Sequence, residues 1–368
     1  MGHKVFVVCS CISDSKEGYE KSLYLWDKFS NKEIPKKKFI NRFVFNNLYI
    51  SLVKTRSWQR NLLNSDEEEN IYKEAINLMN LLKMDFLIGW GNLLLEESIF
   101  KEATRKRIKI CFYLVNPTYK GKKTYMLDNA DLVLTDSKAT RDLYKSDLNC
   151  EIHILSKSLE KIPSHNSLNI LSKVPKNCLL VNPSLEKGLE PFLDLSEYFY
   201  QQKSDISFLC IDGRNQFKKD LRYLNLDESD IKNKIFKLPA VDDINNLFSN
   251  IRILLLLSIW HESGSRLILE AYCRGIPVIA FHTGGNSELM KKYPDDIFKK
   301  PDVYFDKNNQ LRITNWDVTK ISERIKRLNE DDEYYNFYST KIRNENKFEE
   351  IHNKFLISIE RMIEKLIY

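Results

Sequence analysis

Short runs of continuous apolar residues alternate along the chain with longer stretches in which apolar positions recur every three or four. This alternation predicts parallel strands joined by helices. In the first half, strands are expected at "KVFVVCS" (4–10), "DFLIGW" (85–90), "IKICFYLV" (108–115), "DLVLTD" (131–136) and "EIHIL" (151–155). A helix is expected over 67–82, where Ile71, Ala75, Leu78 and Leu82 repeat at helical spacing. The polar stretch 156–177 holds two prolines and no period, and reads as an interdomain connection. The pattern then restarts with "CLLVNP" (178–183), a helix from Lys187, "ISFLCID" (206–212), "KIFKL" (234–238), "IRILLLLS" (251–258) and "IPVIAF" (276–281). The expected class is α/β, with two Rossmann-like doubly wound domains in series over 1–160 and 175–345. From Val318 onward the chain turns helical and charged. A last helix over about 346–368 carries Phe355, Ile359, Met362 and Ile363 on one face, which is expected to pack back on the first domain.

Length supports this division, because 368 residues exceed what one hydrophobic core encloses. No apolar run, Ile253 to Leu257 included, approaches the roughly 18 residues of a membrane span, and "MGHKVFVVCSC" lacks a long signal-like apolar segment. A cytoplasmic protein is expected, soluble or peripheral at the inner face of a membrane. Of seven cysteines, Cys111, Cys178 and Cys210 lie in strand-like apolar runs and read as reduced packing residues. Cys9 and Cys11 have no second Cys pair or clustered His to complete a zinc site, so no metal is expected.

Net charge is +6, and residues 1–160 hold 26 Lys plus Arg against 21 Asp plus Glu. The basic runs "PKKKF" (35–39), "RKRIK" (105–109) and "YKGKKTY" (119–125) lie there. They read as solvated faces, or as a surface for an anionic acceptor or an anionic membrane face. No aromatic-interleaved stripe or recognition motif accompanies them, which argues against nucleic acid.

Candidate chemistry concentrates in "SIWHESGSRLILEAYCRGIPVIAFHTGGNSELM" (258–290). An apolar strand ends here and a helix begins after Glu262 and three small residues. Ligands of open α/β sheets bind outside the carboxyl ends of strands. Ser263, Gly264 and Ser265 would leave amide N–H groups facing an anion with a helix dipole behind them, and Gly284 and Gly285 repeat the arrangement after the next strand, with Asn286 and Ser287 as candidate caps. Glu262 and Glu270, eight positions apart, would stand roughly 12 Å apart on a helix, beyond the about 5 to 9.5 Å of paired hydrolytic carboxylates. The pair suits a longer ligand, a nucleotide-sugar whose two sugars each meet one acid. Singly, each glutamate reads equally well as a helix-start or solvated carboxylate. His261 and His282 are candidate sugar contacts, although a lone His in a strand-end loop is more often structural.

These residues resemble the donor-site signature of GT-B-fold glycosyltransferases of the large retaining family 4 (glycosyl transferases group 1): Glu-x7-Glu, Glu-Ala, Gly-x-Pro-Val-Ile and Gly-Gly-x-x-Glu. "VNPSLEKGLEPFLDL" (181–195) is similar to the family's Lys-Gly helix start, and "ADLVLTDSKATRDLY" (130–144) to its last N-domain strand and helix. The resemblance implies transfer of a sugar from a nucleotide-sugar of unknown base to a glycan, glycolipid or protein hydroxyl, in glycan, glycolipid or cell-surface polysaccharide synthesis. It also implies retention and no cofactor or bound metal. Lys187 would neutralise the leaving diphosphate, Glu262 would hold the donor sugar, and Glu270 the ribose. Asn182 stands where many members have a second phosphate-binding Arg, with Arg266 or Arg214 the expected substitute. Ser265 replaces a usual Gly, and Gly264 a usual aromatic. On the acceptor side Gly18 matches half of a glycine pair, while Asn116 stands where a His is frequent. The alternatives are a nucleotide-sugar epimerase on the same fold, a phosphorylase, for which no cofactor lysine is evident, and a non-catalytic nucleotide-sugar-binding scaffold.

Overall fold

A computed structural model describes residues 3–13, 15–29, 39–115, 117–159, 176–238 and 247–367. The chain falls into two compact units, one of residues 1–113, 123–133 and 367, the other of 114–122, 134–366 and 368. The division passes through the strand Leu132–Thr135.

In the first unit the order is β1 (Phe6–Ser10), α1 (Lys16–Lys28), β2 (Ile40–Phe45), β3 (Leu48–Val53), α2 (Ser65–Leu81), β4 (Phe86–Gly89), α3 (Leu94–Arg105), β5 (Lys109–Tyr113) and α4 (Tyr125–Asp128), then the start of β6 (Leu132–Thr135). The predicted strands are present, one to three residues shorter. The first half was read as one of two doubly wound domains. Among the described residues its strands lie in a three-stranded sheet of order β1-β3-β2 and a four-stranded sheet of order β4-β5-β6-β7, where β7 is Glu151–Ile154. β1 runs parallel to β3, from Phe6 beside Tyr49 to Ser10 beside Val53, and β4 runs parallel to β5. The β2–β3 hairpin is antiparallel and was absent from the expectation. Its turn residues Asn46 and Asn47 have φ of 48° and 63°, the left-handed conformation that Asn tolerates and that matches strand twist. α2 begins at a capping box in which Asn64 and Glu67 satisfy each other's amides. Ser57 adds its amide and hydroxyl to the buried Glu67 carboxylate at 3.0 and 2.8 Å. Burial pushes that carboxyl up, and the hydrogen bonds bring it below its ordinary range.

The second unit takes up the end of β6, then α5 (Lys138–Tyr144) and β7. From there it runs β8 (Asn177–Val181), α6 (Leu189–Gln201), β9 (Ser207–Ile211), α7 (Phe217–Tyr223), α8 (Glu228–Ile231), β10 (Ile235–Leu238) and β11 (Ile253–Leu256). α9 (Arg266–Tyr272), β12 (Val278–Phe281), α10 (Gly284–Leu289) and β13 (Ile297–Phe298) follow. A hairpin of β14 (Asp302–Phe305) and β15 (Leu311–Thr314) precedes α11 (Val318–Glu330), α12 (Asp332–Glu345) and α13 (Phe348–Ile367). The main sheet has order β10-β9-β8-β11-β12-β13 with every pair parallel. Its central strands are apolar on both faces because helices cover both: Leu179, Ile253, Leu254, Leu255, Val278 and Ile279 are fully buried. Truncating any of these leucines to Ala would cost about 2–5 kcal/mol.

Strand order reverses between β8 and β11, and ligands of open α/β sheets bind outside the carboxyl ends of the strands at such a switch point. The helical C-terminal region is anchored by two buried arginines. Arg324 Nε donates to Asp296 at 2.6 Å, Tyr338 adds its hydroxyl to the same carboxylate at 2.6 Å, and Arg252 donates to Leu328 O and Asp332. α13 meets the segment around β7: the Ser156 amide donates to Ser358 Oγ at 3.1 Å, and His153 Nε2 lies 2.9 Å from Ser358 O.

Candidate donor site

The two loops at the switch point carry the predicted residues. After β8 the backbone turns at Asn182 (φ 53°) and tightens at Ser184, whose carbonyl accepts the Lys187 amide at 3.0 Å, before α6 starts from Gly188 in the left-handed region (φ 86°). Only glycine fits at 188, since a Cβ there would lie 2.0 Å from Leu257 O at the end of β11. This close approach brings the two loops together. Ile259 N donates to Glu186 O at 3.0 Å, and Ser258 Oγ lies 3.1 Å from the same carbonyl. Lys187 Nζ thereby reaches the Glu262 carboxylate and pairs with it, while Ser258 Oγ donates to the same oxygen at 2.6 Å. Lys187 remains 38% exposed and Glu262 16%, so the cation is open to a ligand and the acid largely sheltered.

The small-residue segment is more tied down than expected. The Ser265 amide donates to Asn286 Oδ1 at 2.8 Å, and Ser263 Oγ donates to Asp136 Oδ2 at 2.9 Å. Asp136 in turn pairs with Lys157. Asn286 is thus not a cap for its own helix: α10 starts from Thr283, and Asn286 braces the loop across from it. Among the described residues no acceptor takes the amides of Ser263, Gly264 or Gly284, which leaves three donors in the loops that were read as an anion cradle. Gly264 (φ 120°) and Gly284 (φ 46°) occupy conformations closed to most side chains, and Cβ atoms at Gly284 and Gly285 would strike Glu262 O and Ser263 O at 2.1 and 2.3 Å.

The other predicted residues have local surroundings of their own. Glu270 sits on α9 with its carboxylate 13% exposed and engaged by Arg266 Nε at 2.9 Å, so Arg266 serves its own helix. Asn182 accepts the Gly213 amide on its side-chain oxygen at 3.0 Å and joins the loops after β8 and β9, while Arg214 is exposed just beyond. Gly18 lies in the first turn of α1, its amide on Ser15 Oγ at 3.1 Å and Ser13 Oγ where a Cβ would go. Asn116 lies outside the described residues.

His261 Nε2 is 3.0 Å from Thr140 Oγ1, and burial holds its imidazole below the ordinary pKa against the pull of Glu262 and Glu288. His282 is exposed beside a cavity. Sequence reasoning passed over Ser258, Asp136 and Glu288. The Glu288 carboxylate takes the Lys138 amide at 3.0 Å and the Ala139 amide as well, capping α5 from 150 residues away. Glu288 was visible as the acid of Gly-Gly-x-x-Glu, but the amides that donate to it were not.

Among the described residues no helix is long and apolar enough to cross a membrane, and no group of three or more His, Cys, Asp or Glu could hold a metal ion.

The profile of the family described as "Glycosyl transferases group 1" matches residues 165–345. No curated protein matches the chain. Among solved structures, HepE of Anabaena in complex with UDP-glucose is similar at TM-score 0.63 and 12% identity, with 98% of this chain and 100% of that one covered. Sucrose-phosphate synthase of Thermosynechococcus elongatus is similar at 0.61 and 13%, covering 98% and 100%. A glycosyltransferase of Rickettsia africae ESF-5 is similar at 0.56 and 15%, covering 97% and 98%. At these identities the likeness speaks for the fold. The chain therefore has the GT-B fold, and its segment 165–345, which carries the Lys187–Glu262 pair, is similar to the glycosyl transferases group 1 family.

Proposed function

We propose that this protein transfers a sugar from a nucleotide-sugar to an acceptor hydroxyl, with retention of configuration and without a metal ion. The observation that carries this reading is the meeting of Lys187 and Glu262, delivered by the loops after β8 and β11 at the sheet's switch point. When the bond from the anomeric carbon to phosphate breaks, negative charge grows on the departing diphosphate. Lys187 and the amides of Ser263, Gly264 and Gly284 are the donors assigned to it in this reading. Glu262, released from Lys187, then accepts from hydroxyls of the donor sugar while Ser258 holds its orientation. The acceptor oxygen bonds to the anomeric carbon, and its proton passes to a phosphate oxygen of the leaving group. Glu270, sheltered on α9, is the proposed ribose acid, and Arg266 would have to release it.

HepE is described in complex with UDP-glucose, which makes uridine donors the first to try. The acceptor is a glycan, glycolipid or protein. A peripheral contact with an anionic membrane is supported by the basic runs of residues 1–160 and by exposed Val44 and Phe45 on β2, 59% and 48% accessible.

The test is incubation with UDP-, GDP- and ADP-sugars, following release of nucleoside diphosphate and free sugar. Slow donor hydrolysis that Lys187→Ala abolishes supports the transferase. Donor binding without turnover indicates the scaffold, and conversion of the donor to its epimer indicates the epimerase.

A further inference from the structure

Beside the donor loops a cavity of about 410 Å³ is lined by His282, Ile297, Phe298, Lys299, Lys300 and Asp302. It lies where β12 and β13 end, with the His282 amide bonded to Phe298 O at 2.7 Å, two residues before Gly284. Its volume is within the about 300–1,000 Å³ of small-molecule sites.

Three features of the lining select for one kind of ligand. Two lysines adjoin it, and among the described residues neither is paired with a carboxylate: Lys300 Nζ donates to the Ile259 carbonyl at 3.3 Å, at the root of the Glu262 loop, and Lys299 is exposed. The one carboxylate, Asp302, is held by the side-chain amide of Asn315 at 2.8 Å across the β14–β15 hairpin, which orients it as an acceptor. Half-buried Ile297 and Phe298 add an apolar wall. Two cations, one oriented acceptor and one apolar face match a sugar ring that bears an anionic group. The ammonium groups meet the anion, the aspartate meets hydroxyls, and the ring's C–H face lies on Phe298.

We propose that this cavity is a subsite for a sugar carrying a carboxylate or phosphate. It deepens the transferase reading by assigning a charged substrate to the cavity, but its binding chemistry is testable separately.

The experiment titrates glucuronate, glucose 6-phosphate and glucose into the full chain saturated with whichever of UDP, GDP or ADP binds, so that the diphosphate cradle is filled. At least one anionic sugar is expected to bind about tenfold more tightly than glucose, and the Lys299→Gln/Lys300→Gln double variant should erase that preference. Lys299→Arg/Lys300→Arg should keep it. Preference for glucuronate marks a carboxylate substrate, and preference for glucose 6-phosphate a phosphorylated one. Equal binding of neutral and anionic sugars, or a preference that survives the Gln double variant, overturns the proposal. If no nucleotide binds, the donor reading fails, and the same comparison without nucleotide still decides for or against the subsite. Lys299 is exposed and Lys300 half-buried, and an unchanged melting temperature for the Lys299→Gln/Lys300→Gln double variant checks that the fold is intact.

Discussion

Lys187 and Glu262 hold each other, and their removal separates chemistry from folding. Lys187 is more than a third exposed, and such pairs add about 0–1 kcal/mol to stability. Lys187→Ala is therefore expected to lower donor turnover by about a hundredfold or more while moving the melting temperature by only a few degrees, as read by nucleotide release and a thermal scan. Glu262→Ala should behave similarly, and gross unfolding of both variants would refute the assignment. Two histidines provide a pH test. Burial lowers His153 and His261 from the ordinary value of 6.5. Above that value both are neutral folded and unfolded, so their burial costs nothing in protonation. As pH falls through it, the unfolded chain gains protons that the fold resists, and stability declines. Urea midpoints should be lower at pH 5.5 than at pH 7.5, and His153→Gln should recover part of the loss. At this scale the acids and glycines of the donor loops were legible, because their types and spacing are local. Asn286 was read as a cap for its own helix and in fact braces Ser265, since the amide it serves is brought to it only by the folding of the sheet.

Among the elements, Gly188 decides how closely α6 approaches β11. With a left-handed backbone and Leu257 O in the position a Cβ would take, Gly188→Ala is expected to cost about 2–4 kcal/mol. It should also weaken nucleotide binding, because Lys187 is its neighbour, and urea unfolding with a binding titration checks both. The buried strands of the second unit were readable from apolar runs alone, since burial on two faces leaves no polar alternation to confuse them. The β2–β3 hairpin was not, because its turn is made by Asn46 and Asn47 without the glycine that usually signals it.

For the molecule as a whole, α13 closes the second unit over α9. Leu159, Leu269 and Ile351 form a small buried cluster, and Leu269 precedes Glu270 on the helix that follows the donor loop. Deleting residues 348–368 is expected to lower the melting temperature by several degrees and to weaken nucleotide binding several-fold through loosening of α9, measured by thermal scan and titration. The amphipathic stripe of this helix was plain in the sequence, whereas its polar anchors, Ser358 with His153 and Ser156, depend on partners some 200 residues away that no periodicity reveals.

The mutual neutralisation of Lys187 and Glu262 also bears on how binding responds to its medium. An unattended lysine gathers mobile anions, and a diphosphate must displace them, which makes affinity fall steeply as salt rises. Here the resident counterion is a tethered carboxylate whose local concentration no buffer alters. Nucleotide affinity should consequently vary little between low and physiological ionic strength, and Glu262→Gln should make it steeper; a titration series in sodium chloride would show a shallow slope turning steep in the variant.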